Sequence, residues 1–398
     1  MTNDPPASMH HPTTASGPAG LPTPSEQERA LSERLGEVIR DEMARTDGAL
    51  SFARFMELAL YAPGLGYYSS GRQKFGAGGD FVTAPELGNL FARCLARNIA
   101  PVLQALPGGD VLEAGAGSGA LAAELLLELE KLGCLPRRYF ILEISTELRA
   151  RQRAQLGQRA GHLGARVHWL DDLPQTFRGV ALGNELLDAM PVQRFQIKHG
   201  ATREWRVAWE QDRFVWRPGP ELTGAAAQRL TALDLPEGYT SEINLAAEGW
   251  VRTAAERLEA GVLLLIDYGF PRHEFYHAQR AQGTLMCHHR QRAHDDPLIL
   301  VGLQDITAHV DFTAVAEAAH AAGLDILGYT GQGQFLLASG IAEFANSSDP
   351  KAQLTLTQEI KKLTLPHEMG ELIKAIAAGR GVDCTLPGFA LNDRRGRL

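Results

Sequence analysis

The stretch Val111 to Leu121, VLEAGAGSGAL, constrains this 398-residue chain more than any other. Val111 and Leu112 end a short apolar run that begins just after the turn Pro107-Gly108-Gly109. Glycines then stand at alternate positions, Gly115, Gly117 and Gly119, and from Ala120 to Leu132 the apolar residues recur at helical spacing. The unit reads strand, glycine turn, helix. Glycine lacks a Cβ, so such a turn reaches positive φ and lets a ligand lie against bare backbone. The helix opening there presents unpaired N–H groups to a polar or acidic ligand. With Ala120 the run also satisfies G-x-G-x-x-A, the looser dinucleotide fingerprint. Two acids extend the pattern: Glu113 precedes the first glycine by two residues, and Glu143 ends the next apolar run, Tyr139-Phe140-Ile141-Leu142. A carboxylate at that second strand end can accept hydrogen bonds from both hydroxyls of a ribose.

The formal net charge of −8 argues against unaided binding to nucleic acid. Cys94, Cys134, Cys287 and Cys384 lie far apart without a C-x-x-C pair, which indicates neither a disulfide framework nor a zinc site. We expect no metal. No apolar run approaches the ~20 residues needed to cross a bilayer. Residues 1–24 are rich in Pro, Ser, Thr and Gly and are expected to be disordered. They lack the basic start and apolar core of a signal peptide and the arginines of a transit peptide, so a bacterial cytoplasmic location is the expectation.

Residues 25–106 read as a helical region. Ser25 and Glu28 form a capping box for a helix reaching about Thr46, Ser51 to Tyr61 form a second, and Pro85 to Leu106 a third. Between the last two runs the glycine- and aromatic-rich loop 64–88, expected to close over a bound cofactor with Thr83 and Glu86 in contact. Residues 107–191 read as the first part of an α/β core. In it, Asp171-Asp172 follow a third strand, and a fourth strand, Val180 to Leu182, runs into Asn184 and Glu185. Polar groups at the carboxyl ends of strands sit where open α/β sheets bind ligands. Alternating aromatics over residues 192–244 predict an antiparallel insertion on the substrate side. Residues 245–340 return to the core through the apolar strand Val262 to Ile266, which stops at Asp267, and carry a polar substrate loop at 270–311. Asp325 to Tyr329 and Gln334 to Leu337 are expected to make a closing hairpin, and residues 341–398 a helical tail.

An acid followed by G-x-G-x-G is how the first motif of class I S-adenosylmethionine (SAM) methyltransferases looks, and the closing hairpin suits the antiparallel seventh strand of that fold. Four stretches resemble one family in particular: GLGYYSSGRQKFGAGGDFVTAPELG, GNELLDAMPVQRF, IDYGF with EFYHAQRAQGTL, and RAHDDPLILVGLQDITAHVDFTAVAEAA. These are similar to the MidA-like methyltransferases, relatives of a mitochondrial complex I assembly factor that methylates an arginine of a subunit. The resemblance covers roughly Glu26 to Gly381. It implies a Rossmann-like α/β sheet of seven strands with SAM as cofactor. The acceptor it implies is a protein substrate, an arginine of a respiratory complex I subunit or similar partner. On this reading SAM lies against Glu113, Gly115, Gly117, Gly119, Glu143, Asp171, Asp172 and Asn184, with Thr83 and Glu86 closing over it.

A guanidinium has a pKa above ~12 and is a poor nucleophile as found. Two carboxylates can clamp it and take up the released proton. Glu185 and Asp188, three residues apart on an expected helical turn, supply such a pair at ~5–6 Å between Cβ atoms, with Asp267 on the neighbouring strand. His289, His294, Asp295 and Asp305 form a second tier. Two rival readings stay open: an NAD-dependent oxidoreductase, which G-x-G-x-x-A and Glu143 also fit, and a non-catalytic assembly factor keeping a SAM fold as a docking surface.

Overall fold

The computed structural model describes residues 20–71, 83–231, 233–346 and 348–398. Most of the expected disordered tail, and the centre of the expected lid at 72–82, lie outside the described residues.

Helix α1 (Glu26–Ala44) opens on the expected capping box, with Ser25 Oγ accepting from Glu28 N–H at 3.3 Å and Glu28 accepting from Ser25 N–H at 2.7 Å. Helix α2 (Phe52–Tyr61) starts at Ser51, whose hydroxyl accepts from Arg54 N–H. The single helix expected from Pro85 to Leu106 is instead two, α3 (Ala84–Leu87) and α4 (Leu90–Ala105). The break has a cause at long range. Glu359 accepts from Leu90 N–H at 2.9 Å, and a Cβ at Gly88 would lie 2.1 Å from the same carboxylate. Helices α5 (Ala120–Lys131) and α6 (Thr146–Ala160) flank the glycine turn.

The central sheet contains β1 (Asp110–Ala114), β2 (Tyr139–Leu142), β3 (Val167–Leu170), β4 (Phe177–Asn184), β5 (Leu258–Phe270), β6 (Asp325–Gly331) and β7 (Ile373–Arg380). Its order is β3-β2-β1-β4-β5-β7-β6, with β7 antiparallel to both its neighbours. An antiparallel seventh strand was expected, but not here. Gln334 to Leu337, read as the second arm of a closing hairpin, lie in the helix Gln332–Ala338, and the strand comes from the stretch read as a helical tail. Strand β7 is Ile-Lys-Ala-Ile-Ala-Ala-Gly-Arg and is buried along nearly its whole length, so it shows none of the alternation that marks a half-buried strand. Both faces of the sheet are covered. Apolar side chains of α4, α5 and α6 pack on one, and those of the helices Leu245–Arg257 and Phe312–Ala321 on the other.

Parallel registers align the carboxyl ends of the strands. Ala114 pairs with Leu142, Leu142 with Leu170, Ala114 with Gly183, and Asn184 with Ile266. A second sheet stands over that edge. The strands Gln193–Lys198, Ala201–Glu210, Arg213–Glu221 and Thr240–Ile243 pair antiparallel, and Ala49–Ser51 from the N-terminal region adds to Ala201–Glu210. Helices α1 and α2 pack against it through Phe52, Phe55, Val207, Phe214 and Trp216. The N-terminal helices and the insertion thus share one apolar core, and it also takes up Leu285, Cys287, Leu298, Val301 and Ile306.

Candidate active site

The cradle is built where β1 ends. Gly115, Gly117 and Gly119 all take positive φ (69°, 53° and 85°), a conformation that side chains with a Cβ resist, and Gly119 N-caps α5. At Gly119 the fit is also tight, since a Cβ would stand 3.0 Å from the Gln152 Cα. Ser118 in the turn donates to the Glu86 carboxylate of α3 at 2.5 Å, which fastens the end of the 64–88 loop to the cradle.

The other strand ends complete a cavity of about 1020 Å³. After β2, Glu143 lies on its wall, accepting from Ser145 N–H at 2.9 Å and from the Gln152 amide at 3.2 Å. Burial raises its pKa, and these bonds oppose the rise. Beside it Ile144 is 69% exposed, an apolar surface facing the same cavity. After β3, Asp171 and Asp172 line the rim. Asp171 pairs with Arg149 at 2.6 Å with its side chain 93% exposed, while Asp172 accepts from the N–H of Leu173. Glu113 also lines the cavity, but its carboxylate is held by the Tyr139 hydroxyl at 2.6 Å, and burial pushes its pKa up to about 7. Thr83, which is buried, and Glu86 lie on the wall as well.

After β4 the three expected catalytic acids part company. Glu185 takes φ +48°, a left-handed conformation uncommon for glutamate, so the expected helical turn joining it to Asp188 does not form. Strain of this kind concentrates at working sites. Glu185 lies on the cavity wall, accepting from Asn184 Nδ2 at 3.2 Å and from the Ala84 N–H of α3. Burial first, then the nearby Asp267 charge, pushes its pKa up to about 8. Asp188 and Asp267 are buried and stand outside the cavity lining. Asp267 gathers the loop behind the wall: it accepts from Leu186 N–H at 3.0 Å, Leu187 N–H at 2.7 Å and Tyr268 N–H at 2.9 Å. Burial, reinforced by Asp267, Glu185 and Asp305, raises the Asp188 pKa.

Several wall residues escaped the sequence reading. Tyr61 and Tyr68 face the cavity from the N-terminal region, as do Arg54 and Glu57, and Trp250 lines it too. Arg54 is held by Glu42 at 2.7 Å and Glu57 at 2.8 Å. The run Gly66-Tyr67-Tyr68 was a signal that this loop packs on something, though not on what. Conversely, the segment 270–311, read as a substrate loop, contributes no residue to the cavity lining. It holds His289 fully buried, with Nδ1 against the Leu303 carbonyl at 2.9 Å, and it reaches the wall through Asp305, which accepts from the Tyr68 hydroxyl at 2.9 Å. Among the described residues no cluster of His, Cys, Asp and Glu could hold a metal.

A parallel sheet with a glycine cradle after β1, an acid after β2 and an antiparallel strand between β5 and β6 defines a class I methyltransferase fold. Comparison with known proteins agrees. The model of a family described as S-adenosyl-L-methionine-dependent methyltransferases matches residues 94–330, and the chain belongs to that family. A superfamily member from Burkholderia thailandensis, crystallised with S-adenosyl-homocysteine bound, is 49% identical with a TM-score of 0.92, covering 95% of this chain and 100% of the other. The protein arginine methyltransferase NDUFAF7, mitochondrial, of Danio rerio is 28% identical over 81% of this chain and 82% of its own. Its Drosophila melanogaster homologue is 26% identical over 92% and 91%.

The cofactor is therefore SAM, and the site suits it. The glycine turn has no side chain in the way, and the cavity is at the upper end of the usual ~300–1,000 Å³, which leaves space for an acceptor. On the same wall Asn184 Oδ1 is buried without a partner and is free to accept from a ligand amine. The dehydrogenase reading lapses with the family and with the antiparallel β7.

Proposed function

We propose that this protein methylates an arginine side chain of a protein partner. One observation carries the reading. Glu185 stands on the cavity wall at the end of β4 with Asp188, Asp267 and Asp305 behind it, and the charges that weigh most on it are those of Asp267 and Asp305. Crowded carboxylates repel one another, and a cation entering the cavity relieves that repulsion. A guanidinium is the protein cation that a carboxylate holds in two directed hydrogen bonds. The relatives named protein arginine methyltransferase, at 26–28% identity, support the same acceptor.

SAM supplies a methyl group on a sulfonium sulfur that departs as a neutral thioether. The chain's own part is to place and to deprotonate. The glycine turn, Glu143 and Asn184 would hold the cofactor, and Glu185 would orient the guanidinium. The nitrogen that gains the methyl loses one proton, and Glu185 is suited to take it, because a carboxylate of raised pKa is the stronger base. The family resemblance implies a respiratory-complex subunit as partner. A bacterial cytoplasmic location is part of this proposal, supported by the bacterial structural relative. Among the described residues no helix is long and apolar enough to cross a membrane.

The test is transfer from labelled SAM to arginine peptides and to extracts of cells lacking the gene, with methylated residues read by mass spectrometry. Methylarginine in the parent reaction and its loss in Glu185→Gln are expected. Methyl groups on lysine, on carboxylates or on no protein at all would remove the arginine reading. A Glu185→Gln protein with full turnover would move the proton acceptor elsewhere.

A further inference from the structure

Tyr61 ends α2, and Tyr68 follows in the short helix Tyr67–Ser69. Their rings stack with centroids 5.5 Å apart and planes inclined by 19°, and Tyr67, wholly buried, meets Tyr68 edge-on at 5.0 Å. Both hydroxyls are already committed. Tyr61 donates to the Ala189 carbonyl at 2.8 Å, and Tyr68 donates to Asp305 at 2.9 Å. The two rings are half-buried and line the cavity that Glu143 and Glu185 also line. What the pair offers to a ligand is therefore ring surface, held in place by two bonds from the N-terminal region to the core.

We infer that Tyr61 and Tyr68 form an aromatic wall against which the acceptor guanidinium lies flat, opposite the Glu185 carboxylate. The inference rests on the arginine reading above and adds the groups that select for it. A guanidinium is planar and weakly hydrated, so it can stack on a ring while its edge keeps hydrogen bonds to a carboxylate. An ammonium is compact and strongly hydrated and gains less from the same surface. The wall also explains why an N-terminal helical region belongs to the catalytic unit: without α2 and the turn after it, the cavity loses one side.

The test uses the full chain saturated with S-adenosyl-homocysteine and titrated with a short arginine-containing peptide and its lysine counterpart. Methyl transfer is measured separately. The parent is expected to bind the arginine peptide at least tenfold more tightly than the lysine peptide. Tyr61→Leu and Tyr68→Leu should each weaken the arginine peptide about tenfold and raise its KM in proportion, with S-adenosyl-homocysteine affinity within twofold. Tyr61→Phe, which keeps the ring and drops the hydroxyl, should restore parental affinity even if it lowers Tm. Equal arginine affinity in the parent and both leucine variants, with the cofactor product still bound, would overturn the wall. So would a Tyr61→Phe protein as weak as Tyr61→Leu, since the hydroxyl would then carry the effect. A parent that binds the arginine peptide through these rings but methylates none would overturn the proposed function and leave the wall standing. A parent that binds no arginine peptide would overturn both.

Discussion

The Gln152 side-chain amide donates to the Glu143 carboxylate at 3.2 Å and, from the same nitrogen, to the Gly117 carbonyl at 3.1 Å. Its oxygen accepts from the Trp169 indole at 2.9 Å. One fully buried residue of α6 therefore ties the glycine turn after β1 to the acid after β2. Gln152→Leu keeps the volume and removes both ties. A hydrogen bond to a charged group contributes about 1.5–3 kcal/mol, so affinity for S-adenosyl-homocysteine should fall by roughly tenfold or more. Calorimetric titration measures it, and unchanged affinity would show that the two halves of the cradle hold their geometry without Gln152.

Gly119 should not tolerate even alanine. Its φ of 85° costs an L-residue about 1–2 kcal/mol, and the added Cβ would press on the Gln152 backbone at 3.0 Å. Gly119→Ala should lose about 2 kcal/mol or more of stability in denaturant titration and bind the cofactor product weakly. A variant as stable as the parent would mean that α6 yields at this contact.

Glu185 makes stability depend on pH with a definite sign. Its pKa stands near 8 in the fold against an ordinary 4.5, so between those values the folded chain keeps a proton that the unfolded chain has released. Stability should therefore fall as pH rises through this window, its contribution present in full below about 4.5 and gone above about 8. Glu113, raised to about 7, acts in the same sense. Glu185→Gln should flatten the fall, as read by unfolding free energies across the range. Affinity for an arginine peptide should run the other way, rising toward pH 8 as Glu185 ionises. Asp267→Asn should move that midpoint down, because the Asp267 charge is part of what raises it. A Glu185→Gln protein with the parental stability slope would assign the titration to another group.

Asp267 should prove to be a positioning residue. Asp267→Ala leaves the N–H groups of Leu186, Leu187 and Tyr268 without their acceptor. Each buried N–H left unpaired costs about 1–3 kcal/mol, so a loss of about 3 kcal/mol or more is expected. Glu185 sits at the head of that loop, so kcat should fall while S-adenosyl-homocysteine affinity stays within a few-fold. Parental stability with abolished turnover would instead place Asp267 in the chemistry.

The cradle was legible because its information is local. Strand, glycine turn and helix occupy consecutive residues, and the spacing of Gly115, Gly117, Gly119 and Glu143 follows from what a turn and a strand end must do. The capping box at Ser25 and the alternation after Val192 are likewise short-range patterns. The seventh strand was misplaced because β7 is alanine-rich and buried on both faces, a composition that short-range periodicity cannot tell from a buried helix.

What the tertiary structure alone decided is which groups face the cavity. Glu185 and Asp188 are near neighbours in sequence, yet a positive φ at Glu185 leaves the first on the wall and the second behind it, and no residue type announces that φ for a glutamate. Asp267, expected as a third catalytic acid, has its carboxylate wrapped by the loop after β4, which only the tertiary structure shows. Tyr61 and Tyr68 reach the site through bonds to Ala189 and Asp305, partners 128 and 237 residues away in the chain. Periodicity reports which face of an element is apolar; it carries no record of which distant element will cover that face. Short-range pattern thus specified the strand, glycine turn and helix of the cradle, and long-range packing placed the seventh strand and built the rest of the cavity wall.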